Sequence, residues 1–311
     1  LSGEVITIPI TLEAGVAVLF FIGLGILLAN VFGVPVPTSM TTVSAIAGLG
    51  LAPNTLNFQT IGWIVSWWLV TPIIGFWIGA FIGRYLYPEL AQRVEIATSQ
   101  GPLLSFSRGE RVPKIGLGPN TTPRELLSTA VVLLIGFYMS FSAGASNVPN
   151  AVAPLVSSGA IEPNRAILIA TVAIGIGGFT IARRTMESVG TELSDIPLLA
   201  ALIVMITAST ITTILSAMGI PISLVMATVM TIVGLGWGRA TRPIAAKELI
   251  RGEVDTEISM GALTADPEDI TEIGGTEPKA VLEAGRLFNA RATAKYISMW
   301  IIGPTVALVL A

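Results

Sequence analysis

Two serines and two asparagines lie in a stretch that otherwise has the composition of a membrane-spanning helix. The stretch runs from Phe141 to Pro154, inside a span from Leu126 to Ile161 that has no charged side chain. A polar group that faces lipid without a partner is costly, so Ser146, Asn147 and Asn150 are expected to face the protein interior. Their hydroxyl and amide groups can donate hydrogen bonds to an anion, and their oxygen atoms can coordinate a small cation.

Gly144 and Pro149 predict an interruption of this helix. Proline has no backbone N–H group and frees the carbonyl group one turn earlier. We therefore expect a break near Gly144 and a half-helix that begins at about Ser146 or Asn147, with its first N–H groups available to an anion. The alternative is a continuous, kinked helix whose polar residues bind neighbouring helices.

The composition predicts an all-α polytopic membrane protein. Of its 311 residues, 52% are hydrophobic and only 12% are charged, and the mean hydropathy is +0.79. Further charge-free spans are Ala14 to Gly83, Ile196 to Gly238 and Tyr296 to Ala311. The first of these far exceeds the roughly 20 residues of one crossing. We expect a multi-pass protein of the cell membrane.

Several classes of function are disfavoured by what the sequence lacks. It has no cysteine and no histidine, which excludes disulfides, thiol catalysis and the commonest metal ligand. The charge-free spans also hold no Asp or Glu, so neither an acid–base site nor a metal site is expected within the membrane. The chain shows no nucleic-acid footprint. We expect no enzyme activity and no cofactor.

The polar loops divide the chain into three predicted regions. Residues 1–86 form a partial first transmembrane repeat, 87–125 a polar cytoplasmic loop, and 126–311 a second repeat that contains a polar, acidic loop at 239–291. Basic clusters at 84–124, 183–184 and 239–251 are expected on the cytoplasmic side. Three apolar segments separate the first two clusters, so one segment should be re-entrant, and the Ser146 segment is the natural choice.

An internal repeat supports this division. Residues 33–50 and 219–236 share nine of eighteen positions without a gap, at a constant offset of 186 (219 − 33). Two motifs flank the match: Glu4 to Pro9 parallels Glu192 to Pro197, and Trp68 to Pro72 parallels Trp300 to Pro304. Repeated halves with interrupted helices are typical of secondary transporters, with the site at the repeat interface. We expect an inverted repeat whose first half lacks the counterpart of residues 126–188.

The motifs carry a family resemblance. The stretch Gly-Ala-Ser-Asn-Val-Pro-Asn-Ala-Val-Ala-Pro at 144–154 resembles the Gly-Ala-Asn-Asp-Val-Ala-Asn-Ala-x-Gly-Pro signature of the inorganic phosphate transporter (PiT) family. Residues 35–40 and 221–226 resemble its Pro-Val-Ser-Thr-Thr-His motif, which occurs once per repeat. The resemblance implies an inverted-repeat fold and symport of phosphate with Na⁺ or H⁺. A sulfate permease branch of the family is the alternative.

The resemblance also implies which residues form the site. The substrate-binding residues would be Ser146, Asn147, Asn150, Gly144, Ala145, Thr38, Ser39 and Ser223, and the coupling-ion residues would be Asn147, Asn150, Thr41 and Thr42. Asn147 replaces the Asp of the family signature, and Met40 and Met226 replace its two histidines. The first change predicts a weaker cation site in this half, and the second argues against a protonating role.

The sequence also leaves an alternative function open. The chain could be a non-transporting membrane sensor or scaffold, which an uptake measurement would distinguish from a transporter. Its expected partners are phosphate or sulfate, Na⁺ or H⁺, the lipid bilayer and, as an option, a second copy in a homodimer.

Overall fold

The chain folds into a bundle of helices. The computed structural model describes residues 2–31, 36–51, 53–94, 104–107, 114–118, 121–193, 197–240 and 290–311. The helices of these residues are α1 (Ser2–Val5), α2 (Leu12–Val31), α3 (Thr38–Leu51), α4 (Phe58–Phe81), α5 (Tyr87–Arg93), α6 (Pro123–Ser157), α7 (Pro163–Leu193), α8 (Leu198–Ala217), α9 (Leu224–Ala240) and α10 (Ala290–Leu310). A π-helical segment, Ile82–Leu86, joins α4 to α5.

The predicted polar loop 87–125 contains regular structure that the sequence does not predict. Helix α5 extends the path of α4, and strands β1 (Leu104–Ser107) and β2 (Lys114–Leu117) form an antiparallel hairpin. In this hairpin Leu104 pairs with Leu117 and Ser107 with Lys114. The regular structure of the other described residues is helical, which confirms the predicted all-α membrane class.

Among the residues that the structure describes, four helical segments are long and apolar enough to cross a membrane. They are Phe58–Arg93, Pro123–Ser157, Pro163–Thr180 and Leu198–Ala217. Only 11% of the most apolar part of α6 is buried inside the protein, and Leu134 and Phe137 on its surface are 70% and 74% exposed. Such surfaces suit lipid rather than water.

Helix boundaries repeat with the offset found in the sequence. Helix α2 spans 12–31 and α8 spans 198–217, so both ends differ by 186 (198 − 12 and 217 − 31). Helices α3 and α9 begin at 38 and 224, again 186 apart. Helices α4 and α10 begin at 58 and 290, and this offset of 232 equals that between Trp68 and Trp300 (300 − 68).

The packing contacts between the two halves also follow the repeat, because equivalent helices make equivalent contacts. Helix α4 packs on α9, and its counterpart α10 packs on α3, the counterpart of α9. Gly234 of α9 lies against the carbonyl group of Phe76, and the equivalent Gly48 of α3 lies against the carbonyl group of Leu308. A pseudo-two-fold relation between the repeats produces such reciprocal contacts. Whether the repeats have opposite orientations in the membrane stays a prediction.

The predicted break near Gly144 is wrong. Helix α6 runs from Pro123 to Ser157 without interruption and contains both Pro149 and Pro154. Each proline removes one hydrogen bond, whereas a break would free several N–H and carbonyl groups at the two new helix ends. In an apolar surrounding the continuous helix therefore satisfies more backbone groups.

The re-entrant Ser146 segment is also wrong, because α6 continues through this residue. The two apolar segments counted between Leu126 and Ile161 are one helix, so α6 and α7 are the two candidate crossings between residues 124 and 183. If both helices cross the membrane, the basic clusters at 84–124 and 183–184 lie on the same side, as the positive-inside rule requires, without a re-entrant segment.

Single-cysteine labelling will test the inverted orientation, because the natural sequence contains no cysteine. Gln59 and Arg291 are equivalent positions in the first turns of α4 and α10 (291 − 59 = 232). We expect Gln59→Cys and Arg291→Cys to react with a membrane-impermeant maleimide from opposite sides of the membrane. Labelling from the same side would show a parallel repeat.

Candidate functional site

One face of α6 is buried and carries the polar residues of the predicted site. Ser142, Ser146 and Asn150 are four residues apart and are 0%, 7% and 4% exposed. Side chains with this spacing lie one above another on a helix. Helix α6 packs against α2, α3 and α8. The polar groups therefore lie inside the protein although the helix is continuous.

The backbone carbonyl group of Ile222 joins α3 and α6 to the segment that precedes α9. It accepts hydrogen bonds from the hydroxyl groups of Ser39, at 2.6 Å, and Ser146, at 3.2 Å. The Asn150 amide donates to Ser39 Oγ at 2.8 Å and to the Ser146 carbonyl oxygen at 2.9 Å. Three distant parts of the sequence thus meet at one oxygen atom.

Asn147 links α6 to the first residue of α3. The Thr38 hydroxyl group donates a hydrogen bond to Asn147 Oδ1, and Asn147 Nδ2 donates to the carbonyl oxygen of Ala143 at 2.9 Å. The structure therefore brings together five predicted residues, which we call the polar cluster: Thr38, Ser39, Ser146, Asn147 and Asn150.

Two short helices begin at the polar cluster. Thr38 is the first residue of α3, and Ser223 immediately precedes α9. Ser223 is 4% exposed, and its Oγ accepts a hydrogen bond from the backbone N–H of Met226 at 3.5 Å. The first N–H groups of a helix lack intrahelical partners and carry a partial positive charge. The sequence predicts free N–H groups of a helix start at Ser146. The starts of α3 and α9 provide such N–H groups instead.

Gly144 and Ala145 lie outside the polar cluster, so the structure does not place these two predicted substrate-binding residues there. Ala145 is exposed, and a Cβ atom at Gly144 would have no heavy atom within 4 Å. Because α6 is continuous, each residue turns by about 100°, and these two positions point away from Ser146. Their backbone N–H groups lie within α6 and not at a helix start.

Thr41 and Thr42 are buried within α3, one turn after Thr38, and each is 1% exposed. The Thr41 hydroxyl group donates to the Pro37 carbonyl oxygen at 3.1 Å, which is the common local bond of a helical threonine. Both residues adjoin the polar cluster along the chain. Their role as coupling-ion ligands stays a prediction.

Three contributors to the site are not predicted from the sequence. The Ile222 carbonyl group is invisible to side-chain motifs, although Pro221 marks the irregular backbone that exposes it. Ser142 lies one turn before Ser146, and its hydroxyl group donates to the Ser209 carbonyl oxygen at 3.0 Å. The run Ala-Ser-Thr-Ile-Thr-Thr at 208–213 was the signal that α8 contributes polar groups.

The polar cluster contains no charged group. No set of three or more His, Cys, Asp or Glu that could hold a metal ion occurs in the part of the chain that the structure describes. The cluster can stabilise an anion through hydroxyl groups, amide groups and helix N-termini. Neutral donors hold an anion without the strong attraction of a fixed positive charge, which permits its release.

Comparison with known proteins identifies the family. The model of the phosphate transporter family matches residues 3–311. The sulfate permease CysP of Bacillus subtilis is 25% identical over 250 residues, which cover 80% of this chain and 63% of CysP. "Putative phosphate permease TK2061" of Thermococcus kodakarensis is 24% identical, with 79% of this chain and 74% of that protein covered.

A solved structure shares the fold. The protein described as the sodium-dependent phosphate transporter superposes with a TM-score of 0.63 and 16% sequence identity, covering 99% of this chain and 82% of that one. At this identity the likeness concerns the fold alone. The match of the family model over nearly the whole length, together with the repeat and the motifs at the polar cluster, shows that the chain belongs to the phosphate transporter family.

Proposed function

We propose that the chain is an ion-coupled secondary transporter that carries inorganic phosphate across the cell membrane as a multi-pass protein. The observation that carries this proposal is the polar cluster. It lies between helices of both repeats, at the N-termini of two short helices, in a part of the sequence without charged side chains. Family membership supports phosphate as the substrate.

Na⁺ is the proposed coupling ion. The structural neighbour is described as sodium-dependent, and the oxygen atoms of the predicted coupling-ion residues Asn147, Asn150, Thr41 and Thr42 are ligands that suit hard cations. The proposed partners are thus phosphate, Na⁺ and the lipid bilayer. A homodimer stays a prediction that a mass measurement in detergent will test.

Sulfate is the second candidate substrate, and two observations favour it. The relative from Bacillus subtilis is named as a sulfate permease. The spans around the polar cluster also lack any carboxylate. No charged group in these spans can therefore accept a hydrogen bond from the proton that hydrogen phosphate carries at neutral pH. Sulfate has no such proton and only accepts hydrogen bonds.

Uptake into proteoliposomes tests the proposal. We expect radiolabelled phosphate to accumulate under an inward Na⁺ gradient and not in choline, and unlabelled sulfate at equal concentration to compete only weakly. Competition by sulfate that is stronger than that by phosphate would favour the second candidate. Absence of uptake of either anion would favour the sensor or scaffold reading.

The variant Ser39→Ala tests whether the polar cluster is the transport site. Ser39 is fully buried and bonds both Ile222 and Asn150. Losing a hydrogen bond in this network is expected to lower uptake about tenfold, which corresponds to about 1.4 kcal/mol. The control is Ser66→Ala, because the exposed Ser66 bonds only the Gly62 carbonyl group of its own helix at 2.7 Å. Equal uptake by the two variants would contradict the site assignment.

A further inference from the structure

Three hydroxyl groups on one side of α8 are buried without a partner. Ser209 and Thr212 are both 0% exposed. The oxygen atoms of Ser209, Thr212 and Thr213 are buried and form no hydrogen bond in the part of the chain that the structure describes. Buried polar groups are nearly always paired, so this group requires an explanation.

Other helical threonines of this protein form a local bond that these three residues lack. The hydroxyl group of Thr210 donates to the Ile206 carbonyl oxygen at 2.8 Å, and that of Thr231 donates to Ala227 at 2.7 Å. Such bonds satisfy a hydroxyl group inside its own helix. The oxygen atoms at 209, 212 and 213 are instead available to a ligand.

The three hydroxyl groups belong to a helix that packs against α6, which carries part of the polar cluster. Ser142 of α6 donates to the Ser209 carbonyl oxygen at 3.0 Å, so the two helices are in contact at this level. One turn further along α6 is Ser146, and about one turn further along α8 are Thr212 and Thr213. Ser146 bonds the Ile222 carbonyl group, which follows the C-terminal end of α8.

The chemistry of these groups suits a monovalent cation. Hydroxyl and carbonyl oxygen atoms are hard ligands, and no acid lies between Ile196 and Gly238 to meet the charge of a divalent ion. The hydroxyl groups lie within a helix whose N–H groups are used internally, whereas the N–H groups suited to an anion lie at the starts of α3 and α9. A cation here would also be attracted by an anion in the polar cluster.

We infer that Ser209, Thr212 and Thr213 of α8 form a Na⁺ site at the interface with α6, next to the anion site. Its link to transport rests on the proposed function. Each ion strengthens the binding of the other, and this coupling is reciprocal. The site lies outside both signature motifs and offers a location for the coupling ion when position 147 carries no carboxylate.

The test compares the double variant Thr212→Val/Thr213→Val with the control Thr210→Val. The full-length chain is purified in detergent, and its melting temperature is followed against NaCl or choline chloride, with and without phosphate. We expect Na⁺ to raise the melting temperature of the wild-type protein and of the control, and phosphate to lower the Na⁺ concentration required. In the double variant the half-effective Na⁺ concentration should rise at least about tenfold.

A second readout separates ligation from folding. Valine has the shape of threonine without the unpaired hydroxyl group, so the double variant should melt at a higher temperature than wild type in choline while its response to Na⁺ is weakened. Merely structural hydroxyl groups would leave the Na⁺ response unchanged, and this result would overturn the inference. So would a wild-type protein that Na⁺ stabilises no more than choline does.

Uptake measurements keep the two proposals distinguishable. If the wild-type protein shows the Na⁺ response and the double variant loses it, the Na⁺ site stands even when no phosphate uptake is found, and only the proposed function fails. If phosphate uptake depends on Na⁺ but has the same Na⁺ dependence in the double variant, the function stands and the α8 site is overturned.

Discussion

Gly79→Ala is expected to prevent stable folding, because α4 and α9 are in backbone contact at this position. A Cβ atom on Gly79 would overlap the carbonyl oxygen of Thr231 and lie 3.1 Å from the backbone N of Leu235. Neither atom belongs to a flexible side chain, so the helices would have to separate. We expect a loss of about 3 kcal/mol in the free energy of unfolding.

The contact is extended, which is why one methyl group has such an effect. Gly75, Gly79 and Gly83 are four residues apart and all lie against the backbone of α9. Small residues at this spacing let membrane helices approach closely. From the other side, Gly234 and Gly238 of α9 lie against the carbonyl groups of α4. Neither helix can move away locally without breaking several contacts.

Gly62→Ala on the same helix is the control. Gly62 is exposed, and no heavy atom lies within 4 Å of its Cβ position. Alanine favours helix over glycine by up to about 1 kcal/mol, so this variant should melt at an equal or higher temperature. Melting temperature and the monodisperse yield in detergent measure both effects. A Gly79→Ala protein as stable as Gly62→Ala would show that α4 and α9 are further apart than described.

Asn147→Ala is expected to lower phosphate uptake about 30-fold at both high and low Na⁺, which corresponds to about 2 kcal/mol. The substitution removes the acceptor of the Thr38 hydroxyl group and the donor to Ala143. It thereby removes one of the two side-chain links described between α6 and the start of α3, where the anion is proposed to bind. Normal transport with full Na⁺ dependence would show that Asn147 is structural.

Asn147→Asp is expected to change Na⁺ dependence instead. One carboxylate oxygen can still accept the Thr38 hydroxyl group, but the other would face the carbonyl oxygen of Ala143, where Asn147 now donates at 2.9 Å. A cation between these oxygen atoms removes the repulsion. The half-saturating Na⁺ concentration for uptake should therefore fall about tenfold, or about 1.4 kcal/mol.

The charged variant needs a control for insertion. An acid inside the membrane costs about 2.5–3.5 kcal/mol on insertion scales, so uptake is normalised to the amount of inserted protein. Asn54→Asp adds the same charge in the exposed turn between α3 and α4, and it should leave the Na⁺ dependence unchanged. An Asn147→Asp protein with the wild-type Na⁺ dependence would contradict a cation close to position 147.

The sequence by itself determined the membrane class and the internal repeat. The identity between 33–50 and 219–236 predicted equivalent elements, and α3 and α9 begin at equivalent residues. Charge-free length and prolines are local signals, because the cost of a polar group in lipid and the geometry of proline act within a few residues. The charge-free span brought Ser146, Asn147 and Asn150 forward as site residues, whereas Thr38 and Ser39 were predicted from the family resemblance.

Only the tertiary structure decided how these residues meet. Helix α6 continues through Pro149, although the local pattern predicted a break, and it packs against α2, α3 and α8. The same continuity places Gly144 and Ala145 outside the polar cluster. The Ile222 carbonyl group and the hydroxyl groups of α8 are brought in by contacts between distant parts of the chain. Backbone groups have no sequence signature, and the face that a helix buries is set by its neighbours, so neither can be determined from local pattern.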